Sequence, residues 1–306
     1  MGRVFVLGSI NCDLVINAPY LPQSGETLSG GGFIINAGGK GANQAVACSK
    51  LGAETYMIGA IGDDPFGKIC YDSLKKYGCD CRYIQKLQGV STGIASIWVI
   101  GGDNRIVLDG GANMRLDEKS VFSVIENECR AGDVLVCQLE IDGALVAAAM
   151  RRAKEKGMIT VLNPAPAVSL GREILSATDV LVPNETETEI LTGKKAGTEQ
   201  ELLSACESLS AAGVGEILVT LGKDGSFYYK KGETAREGII KVAVTDTTAA
   251  GDTTIGALAE RLASGFGVRE SMRYCAAASA LTVTKKGAQQ AIPYKKELEE
   301  FLKING

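Results

Sequence analysis

Two rhythms of apolar and polar residues alternate along this chain. Short runs dense in Val, Ile and Leu have the length of buried strands. Between them lie stretches in which apolar residues return every three or four positions, as on one face of a helix. The pattern predicts a first strand over 3–7, a helix fed by the glycine-rich stretch 36–45 and running through Leu51, and a strand over 56–61. A helix follows from the turn Gly62-Asp63-Asp64-Pro65 to Tyr77, then a helix over 121–129 and a strand over 134–139. Further strands are expected over 159–162, 180–182 and 216–221, with a helix over 199–212. A strand-like run over 238–244, a helix over 254–262 and a last helix over 271–283 complete the series. Strand-then-helix repetition implies a mainly parallel sheet flanked by helices. No linker or low-complexity tract interrupts it, so the expectation is one α/β domain over residues 1–306.

Two stretches break the rhythm, at about 14–35 and 92–110. The second alternates Ile94, Ser96, Trp98 and Ile100, turns at Gly101-Gly102-Asp103-Asn104 and returns over 105–108, which reads as a hairpin. The expectation is that the two excursions pair into one small β-lid over the end of the first strand.

Composition narrows the chemistry. The formal net charge is −4 with both signs interspersed, which disfavours a nucleic-acid partner. No apolar stretch reaches the ~18 residues of a membrane span, and residues 1–7 are too short for a secretory core, so a cytoplasmic protein is expected. The nine cysteines lack metal-ligand spacing; Cys79 and Cys81 form a lone C-x-C pair. Histidine is absent, which removes His-based triads, His zinc sites and phosphohistidine relays together. General-base work falls to a carboxylate, Lys, Cys or Tyr.

The stretch Asp246-Thr247-Thr248-Ala249-Ala250-Gly251-Asp252-Thr253 joins a strand-like run to a helix-like one. The N–H groups of such a junction and the helix dipole suit an anion, and Ala249, Ala250 and Gly251 let a phosphate approach the backbone. Asp252 at the lip suits a base for an attacking hydroxyl, although a plain N-cap would look the same. Asn11 and Asp13 project to one side of an extended chain, a pair suited to vicinal hydroxyls or to a polar turn. Lys40 and Asn43, one helical turn apart, can face one polyhydroxy ligand. The surrounding glycines are not a Walker A loop, because Ile34 and Gly41 occupy the positions that motif reserves for Gly and Ser/Thr. Glu140 is placed at the end of the strand over 134–139. Asn184 and Glu187 are spaced either as a capping box or as a nucleotide contact with a carboxylate that orders Mg²⁺ through water. Gly222-Lys223-Asp224-Gly225 is a glycine turn suited to close nucleotide contact.

The ordered set Asn11-Cys12-Asp13, Gly38-Gly39-Lys40-Gly41-Ala42-Asn43-Gln44-Ala45, Asn163-Pro164-Ala165-Pro166, Pro183-Asn184-Glu185-Thr186-Glu187, Thr220-Leu221-Gly222, 246–253 and Thr284-Lys285-Lys286-Gly287-Ala288-Gln289 resembles the ribokinase, or phosphofructokinase-B-type, carbohydrate kinases along the full length. The resemblance implies a ribokinase-like three-layer α/β/α fold with a small β-sheet lid, a homodimer through that lid, and ATP-dependent phosphorylation of a sugar such as D-ribose. It implies sugar contacts at Asn11, Asp13, Gly39, Lys40, Asn43 and Glu140, with Cys12, Gly41 and Ala42 lining the same loops. Nucleotide contacts are implied at Asn184, Thr220, Leu221, Gly222, Lys223, Asp224, Gly225 and Ala276, and an anion hole and base at Ala249, Ala250, Gly251 and Asp252. Mg²⁺ near Glu187 and an activating K⁺ near Asp246, Thr248, Thr282, Lys285, Gly287 and Ala291 complete the set. Thr248 and Gln290 depart from the family pattern, which bears on the tuning of the K⁺ site.

Overall fold

The computed structural model describes residues 2–305. The chain enters as β1 (Val4–Leu7), buried throughout, and crosses at once into β2 (Asn11–Asn17) and β3 (Gly31–Gly38) of a small sheet. Helix α1 (Lys40–Lys50) returns to β4 (Thr55–Gly62), and α2 (Pro65–Lys76) leads to β5 (Asp80–Leu87). The hairpin β6 (Gly93–Ile100) and β7 (Asp103–Asp109) goes back to the small sheet. Its two-residue turn, Gly101-Gly102, has φ of 60° and 89°, values only glycine takes freely. The β/α rhythm resumes with α3 (Glu118–Asn127), β8 (Val134–Cys137), α4 (Gly143–Glu155), β9 (Ile159–Leu162), α5 (Arg172–Ser176) and β10 (Val180–Leu181). After α6 (Glu185–Thr192), α7 (Glu199–Ala211) and β11 (Glu216–Thr220) comes the hairpin β12 (Ser226–Lys230) and β13 (Glu233–Glu237). Helices α8 (Ala250–Ala263), α9 (Val268–Thr282) and α10 (Lys295–Asn305) close the chain.

The large sheet has the order β13-β12-β11-β10-β9-β8-β1-β4-β5, parallel from β5 to β11 and antiparallel only in the final hairpin. Strand periodicity splits its core into two layers. Val4 and Val6 pack with Ala45 and Cys48 of α1 and Ile255 and Leu258 of α8, whereas Phe5 and Leu7 pack with Ile125 of α3 and Leu145 and Met150 of α4. Each such large apolar side chain is worth roughly 2–3 kcal/mol when fully buried. Strand order reverses direction between β1 and β8, and ligands of open α/β sheets bind beside the strand ends at such a point.

The small sheet has the order β3-β2-β6-β7, so strands from both sequence excursions pair, β2 with β6 in parallel. Asp64 ties the base of β6 to the large sheet: it caps α2 through the Gly67 N–H (2.7 Å) and accepts from the N–H (2.7 Å) and hydroxyl (2.8 Å) of Thr92.

Several expectations are corrected. Among the described residues the run over 238–244 pairs with no strand, because β13 ends at Glu237; its apolar pattern records Ile240 and Val242 turning onto the core. The strand expected to reach residue 139 stops at Cys137, so Glu140 lies in the following loop. Asn11 and Asp13 belong to the small sheet instead of the end of the first strand. Helix α8 begins at Ala250, four residues before the periodic run, because the small residues of the junction are already its first turn. Strand β5 and helix α10 were not anticipated.

Candidate active site

The loop after β1, the loop after β8 and the first turns of α1 and α8 meet at the switch point. Gly39 makes the meeting possible: it has φ of 90°, and a Cβ there would lie 2.6 Å from the Asn11 nitrogen. Glu140 fastens the junction with one oxygen. Its Oε2 accepts from the Ser9 hydroxyl (2.5 Å), the Lys40 N–H (3.2 Å) and the Asn11 side-chain amide (3.3 Å). Behind it, buried Asn113 accepts from the Ile10 N–H (2.9 Å) and donates to Asn11 Oδ1 (2.7 Å), which fixes the Asn11 amide with its nitrogen towards Glu140.

Asp252, in the first turn of α8, faces this group. Its Oδ2 accepts from Asn43 Nδ2 (3.0 Å) and its Oδ1 from Gln44 Nε2 (3.0 Å), both from α1. Asn43 is only 7% exposed, yet its Oδ1 has no partner among the described residues. A buried acceptor left open beside a carboxylate calls for a ligand donor such as a hydroxyl. Burial pushes the Asp13 carboxyl up to about 7, and repulsion from Glu140 and Asp252 adds to the rise. Acceptor-rich walls of this kind, with Lys40 half-buried at the rim, fit a ligand that brings many hydroxyl donors.

The start of α8 is open to an anion. Ala249 sits at φ 60°, a left-handed conformation unusual for a residue with a Cβ, which turns the chain sharply into the helix. The N–H of Ala250 reaches Thr247 O at 3.2 Å, while those of Ala249, Gly251 and Asp252 have no partner among the described residues. A Cβ at Gly251 would meet nothing within 4 Å, so the protein's own packing does not demand glycine there; the space lies free for something that approaches the backbone.

Asn184 and Thr220 lie bridged just past β10 and at the end of β11, with the Thr220 N–H on Pro183 O (2.9 Å). Leu221 is buried, and Gly222, Lys223 and Asp224 form an exposed 3-10 turn closed by Gly225. Ala276 is half-buried on α9, which packs against α8 and the β12–β13 hairpin. Asn184 and Glu187 form a full capping box: Asn184 Oδ1 takes the Glu187 N–H (2.8 Å) and Glu187 Oε2 the Asn184 N–H (2.8 Å). The second Glu187 oxygen accepts nothing among the described residues. Burial raises this carboxyl above its ordinary value, and both Lys40 and Asp252 are close enough to act on it, so it belongs to the same electrostatic site.

The segments around Asp246 and Gly287 are brought together. Asp246 accepts from the N–H (2.9 Å) and hydroxyl (2.6 Å) of Thr248 and from the Gly287 N–H (2.9 Å). Burial works against the ionised Asp246, but these hydrogen bonds and Lys286 hold its carboxyl below the usual range. Buried Thr282 spends its hydroxyl on Ala278 O (3.0 Å), Lys285 pairs with Glu297 (2.5 Å), and Ala291 is fully buried. Among the described residues no group of three His, Cys, Asp or Glu could hold a metal ion.

Two expected sugar-loop residues turn away. Cys12 points opposite to Asn11 and Asp13 and is fully buried near Cys70, whose thiol donates to Asn11 O (3.2 Å); Ala42 lies in the core with only its N–H, on Ser9 O (2.9 Å), at the junction. Gly41 contributes its N–H to the Ser9 hydroxyl (3.3 Å). Sequence reasoning missed Ser9, Asn113 and Gln138 and gave Gln44 no role. No local pattern marks them as parts of the site: Ser9 and Gln138 merely follow an apolar run, and Asn113 and Gln44 do not.

Known proteins give the same picture. The model of the pfkB family of carbohydrate kinases matches residues 1–295. The chain is 43% identical to the ribokinase of Haemophilus influenzae over 97% of each chain. It is 34% identical to the deoxyribokinase of Salmonella typhi over 99% of each. The fold superposes on the structure of Arabidopsis thaliana ribokinase complexed with ribose and ATP with a TM-score of 0.92, at 33% identity and 99% coverage of both chains. Site geometry, fold and full-length similarity agree, and the chain belongs to the pfkB family of carbohydrate kinases.

Proposed function

We propose that this protein transfers the γ-phosphoryl group of ATP to the 5-hydroxyl of D-ribose, giving ribose 5-phosphate and ADP. The observation that carries the reading is the position of Asp252, held by two amides between a wall of hydroxyl acceptors and an open helix start. Full-length similarity to ribokinases supports the substrate.

In this reading Asn11, Asp13, Asn43 and Glu140 hold the ring hydroxyls, and Gly39 and Lys40 close the rim. The 5-hydroxyl then points at Asp252. Its oxygen forms the new bond to the γ-phosphorus as the bond to the β-phosphate oxygen breaks, and its proton passes to Asp252. Free N–H groups at Ala249, Gly251 and Asp252, with Ala250 in the same turn, receive charge developing on the phosphoryl oxygens. Asn184 and Thr220 to Gly225 form the nucleotide side, with Ala276 beneath.

A single carboxylate with one free oxygen, Glu187, suits a Mg²⁺ ion that keeps its waters and binds mainly through substrate phosphates. One half-buried carboxylate, Asp246, and the carbonyls of Thr248, Thr282, Lys285, Gly287 and Ala291 offer oxygens with little negative charge, which suits K⁺ better than a divalent ion. When bound, Mg²⁺ neutralises phosphate charge and K⁺ stiffens the turn before α8; the chain's own residues do the positioning.

The chain reads as one unit, 1–306, with the small sheet as a lid and a second copy against it. Register supports the second copy: Ile34, Val15, Ile97 and Ile106 stand side by side across all four strands, with Ile34 and Ile106 51% and 54% exposed. Nine free thiols and the use of ATP favour a cytoplasmic setting.

The test is ADP release from MgATP across ribose, 2-deoxyribose, fructose, adenosine and uridine, with K⁺ or with Na⁺. Ribose-dependent turnover raised by K⁺ is expected. A preference for 2-deoxyribose, the reading that the Salmonella typhi relative favours, would keep the mechanism and replace the substrate. Binding of ribose without ATP consumption would make the protein a sugar-binding regulator.

A further inference from the structure

We propose that Gln44 is the positioning residue of this site, a fully buried amide that aims the Asp252 carboxylate, with its polarity imposed by a chain of amides along the C-terminal ends of the large sheet's central strands. The inference rests on the kinase reading of Asp252.

The chain starts from a backbone carbonyl, which can only accept. Val182 O, just past β10, takes Asn163 Nδ2 at 3.1 Å, so Asn163, just past β9, must turn its Oδ1 the other way. That oxygen accepts from Gln44 Nε2 at 3.2 Å. Gln44 therefore presents its second N–H to Asp252 Oδ1, at 3.0 Å, and its oxygen to Gln138 Nε2, at 2.7 Å, just past β8. Both N–H groups and the acceptor of Gln44 are thus engaged, and flipping any one amide would set acceptor against acceptor along the line. Gln44 and Gln138 are 0% exposed, so neither reaches a ligand. Gly8, just past β1, completes the row: a Cβ there would stand 1.9 Å from Gln138 Oε1.

The arrangement explains why the carboxylate is held by amides. An Arg or Lys in the same place would fix the geometry but would draw electron density from the oxygen that must accept a proton. Neutral donors aim it and leave that capacity. Asn43 of the same helix supplies the other donor, but its oxygen is left open; among the described residues it is Gln44 that links Asp252 to the amide row.

The test is steady-state kinetics with MgATP and ribose for wild type, Gln44→Met and Gln44→Glu across the pH range, with a thermal melt of each. Gln44→Met keeps the volume and loses both donors; kcat is expected to fall ~10–100-fold while KM for ribose stays within ~3-fold. Gln44→Glu can donate only while protonated, so its kcat relative to wild type is expected to fall ~10-fold from about pH 6 to pH 8. A merely structural role predicts a ratio that is flat with pH. Wild-type kcat in Gln44→Met, or a flat ratio for Gln44→Glu, overturns the inference; if the Met protein does not fold, the Glu ratio decides alone. A wild-type protein that consumed ATP with no sugar would overturn the kinase reading and this inference together, whereas an active wild type with unmoved variants overturns the inference only.

Discussion

The two sheets solve opposite problems. Every residue of β1, β4 and β8 in the large sheet is buried, and helices cover both faces, so that sheet completes itself. In the small sheet β7 is exposed along its whole length, and Phe33, Ile34 and Ile35 of β3 are 57%, 51% and 41% exposed. Yet Asn11 and Asp13 stand on β2 of this incomplete sheet, while Asp252 and its amide support stand on α8 and α1, helices packed on the complete one. In the proposed reading the chemistry is anchored on the helix-covered large sheet and the sugar contacts on the sheet that still has surface to cover. Such a division would let the proposed lid order around a sugar without disturbing Asp252.

The comparison predicts separable failures. The largest is expected from Asp252→Asn, which removes the proposed proton acceptor; its oxygen can still accept from Gln44, and its N–H can be taken by Asn43 Oδ1 if that amide turns over. Turnover should fall ~10³-fold or more, with KM for ribose changed only a few-fold and the melting temperature close to wild type. Retained turnover would remove Asp252 from the mechanism. Next comes Ile106→Glu, which puts a charge into the apolar row of the small sheet and leaves the large sheet untouched. Sedimentation should show a dimer becoming a monomer, and kcat/KM for ribose should fall ~10-fold through KM. A wild type that sediments as a monomer would end the proposal that a second copy covers the lid.

The large sheet was legible because strands buried on both faces read as unbroken apolar runs, and the hairpin of the small sheet because a β-branched run over 94–100 meets the turn Gly101-Gly102-Asp103-Asn104. The run over 238–244 is rich in Ile and Val as well, but a strand needs a neighbouring strand, and sequence does not show that β13 has already ended. Asn11, Asp13, Asn43 and Asp252 stand out in the sequence as candidates for chemistry, over a capping or solvated role, only because several motifs stand in order. The supporting polar shell was not. Gln138 meets Gln44 across 94 positions and Asn113 meets Ile10 across 103, and no local pattern marks either partner. The second role of Asn184 and Glu187, the capping box, was equally visible beforehand, and the structure shows that it is formed.

A smaller effect separates binding from stability within the lid. Asp13 has a folded-state pKa of about 7, above the ~3.9 of an unfolded aspartate. Between these values the folded protein holds the proton more tightly, so stability falls as pH rises through about 4 to 7 and is flat above. At pH 8 the full cost of an ionised, crowded carboxylate is present. Asp13→Asn is therefore expected to stabilise the ligand-free protein by about 1–3 kcal/mol at pH 8 and by less than half of that near pH 5, while weakening ribose binding. Denaturant unfolding at the two pH values checks the first statement and calorimetry the second. Equal gains at both would mean that charge is not the cause.

The smallest effect concerns the turn that opens the anion site. Ala249 occupies φ 60° with a Cβ, a conformation that costs an ordinary residue about 1 kcal/mol. Glycine adopts it freely but gives the unfolded chain more freedom, which offsets part of the gain. Ala249→Gly should thus raise stability by only about 0.5 kcal/mol. Its effect on rate should have the opposite sign, because the left-handed residue is what stiffens the step from Thr248 into α8 and holds the open N–H groups in place. Turnover a few-fold lower with stability unchanged or slightly higher would locate the strain of Ala249 in the catalytic geometry; lower stability would mean that its methyl group packs where the backbone alone does not explain it.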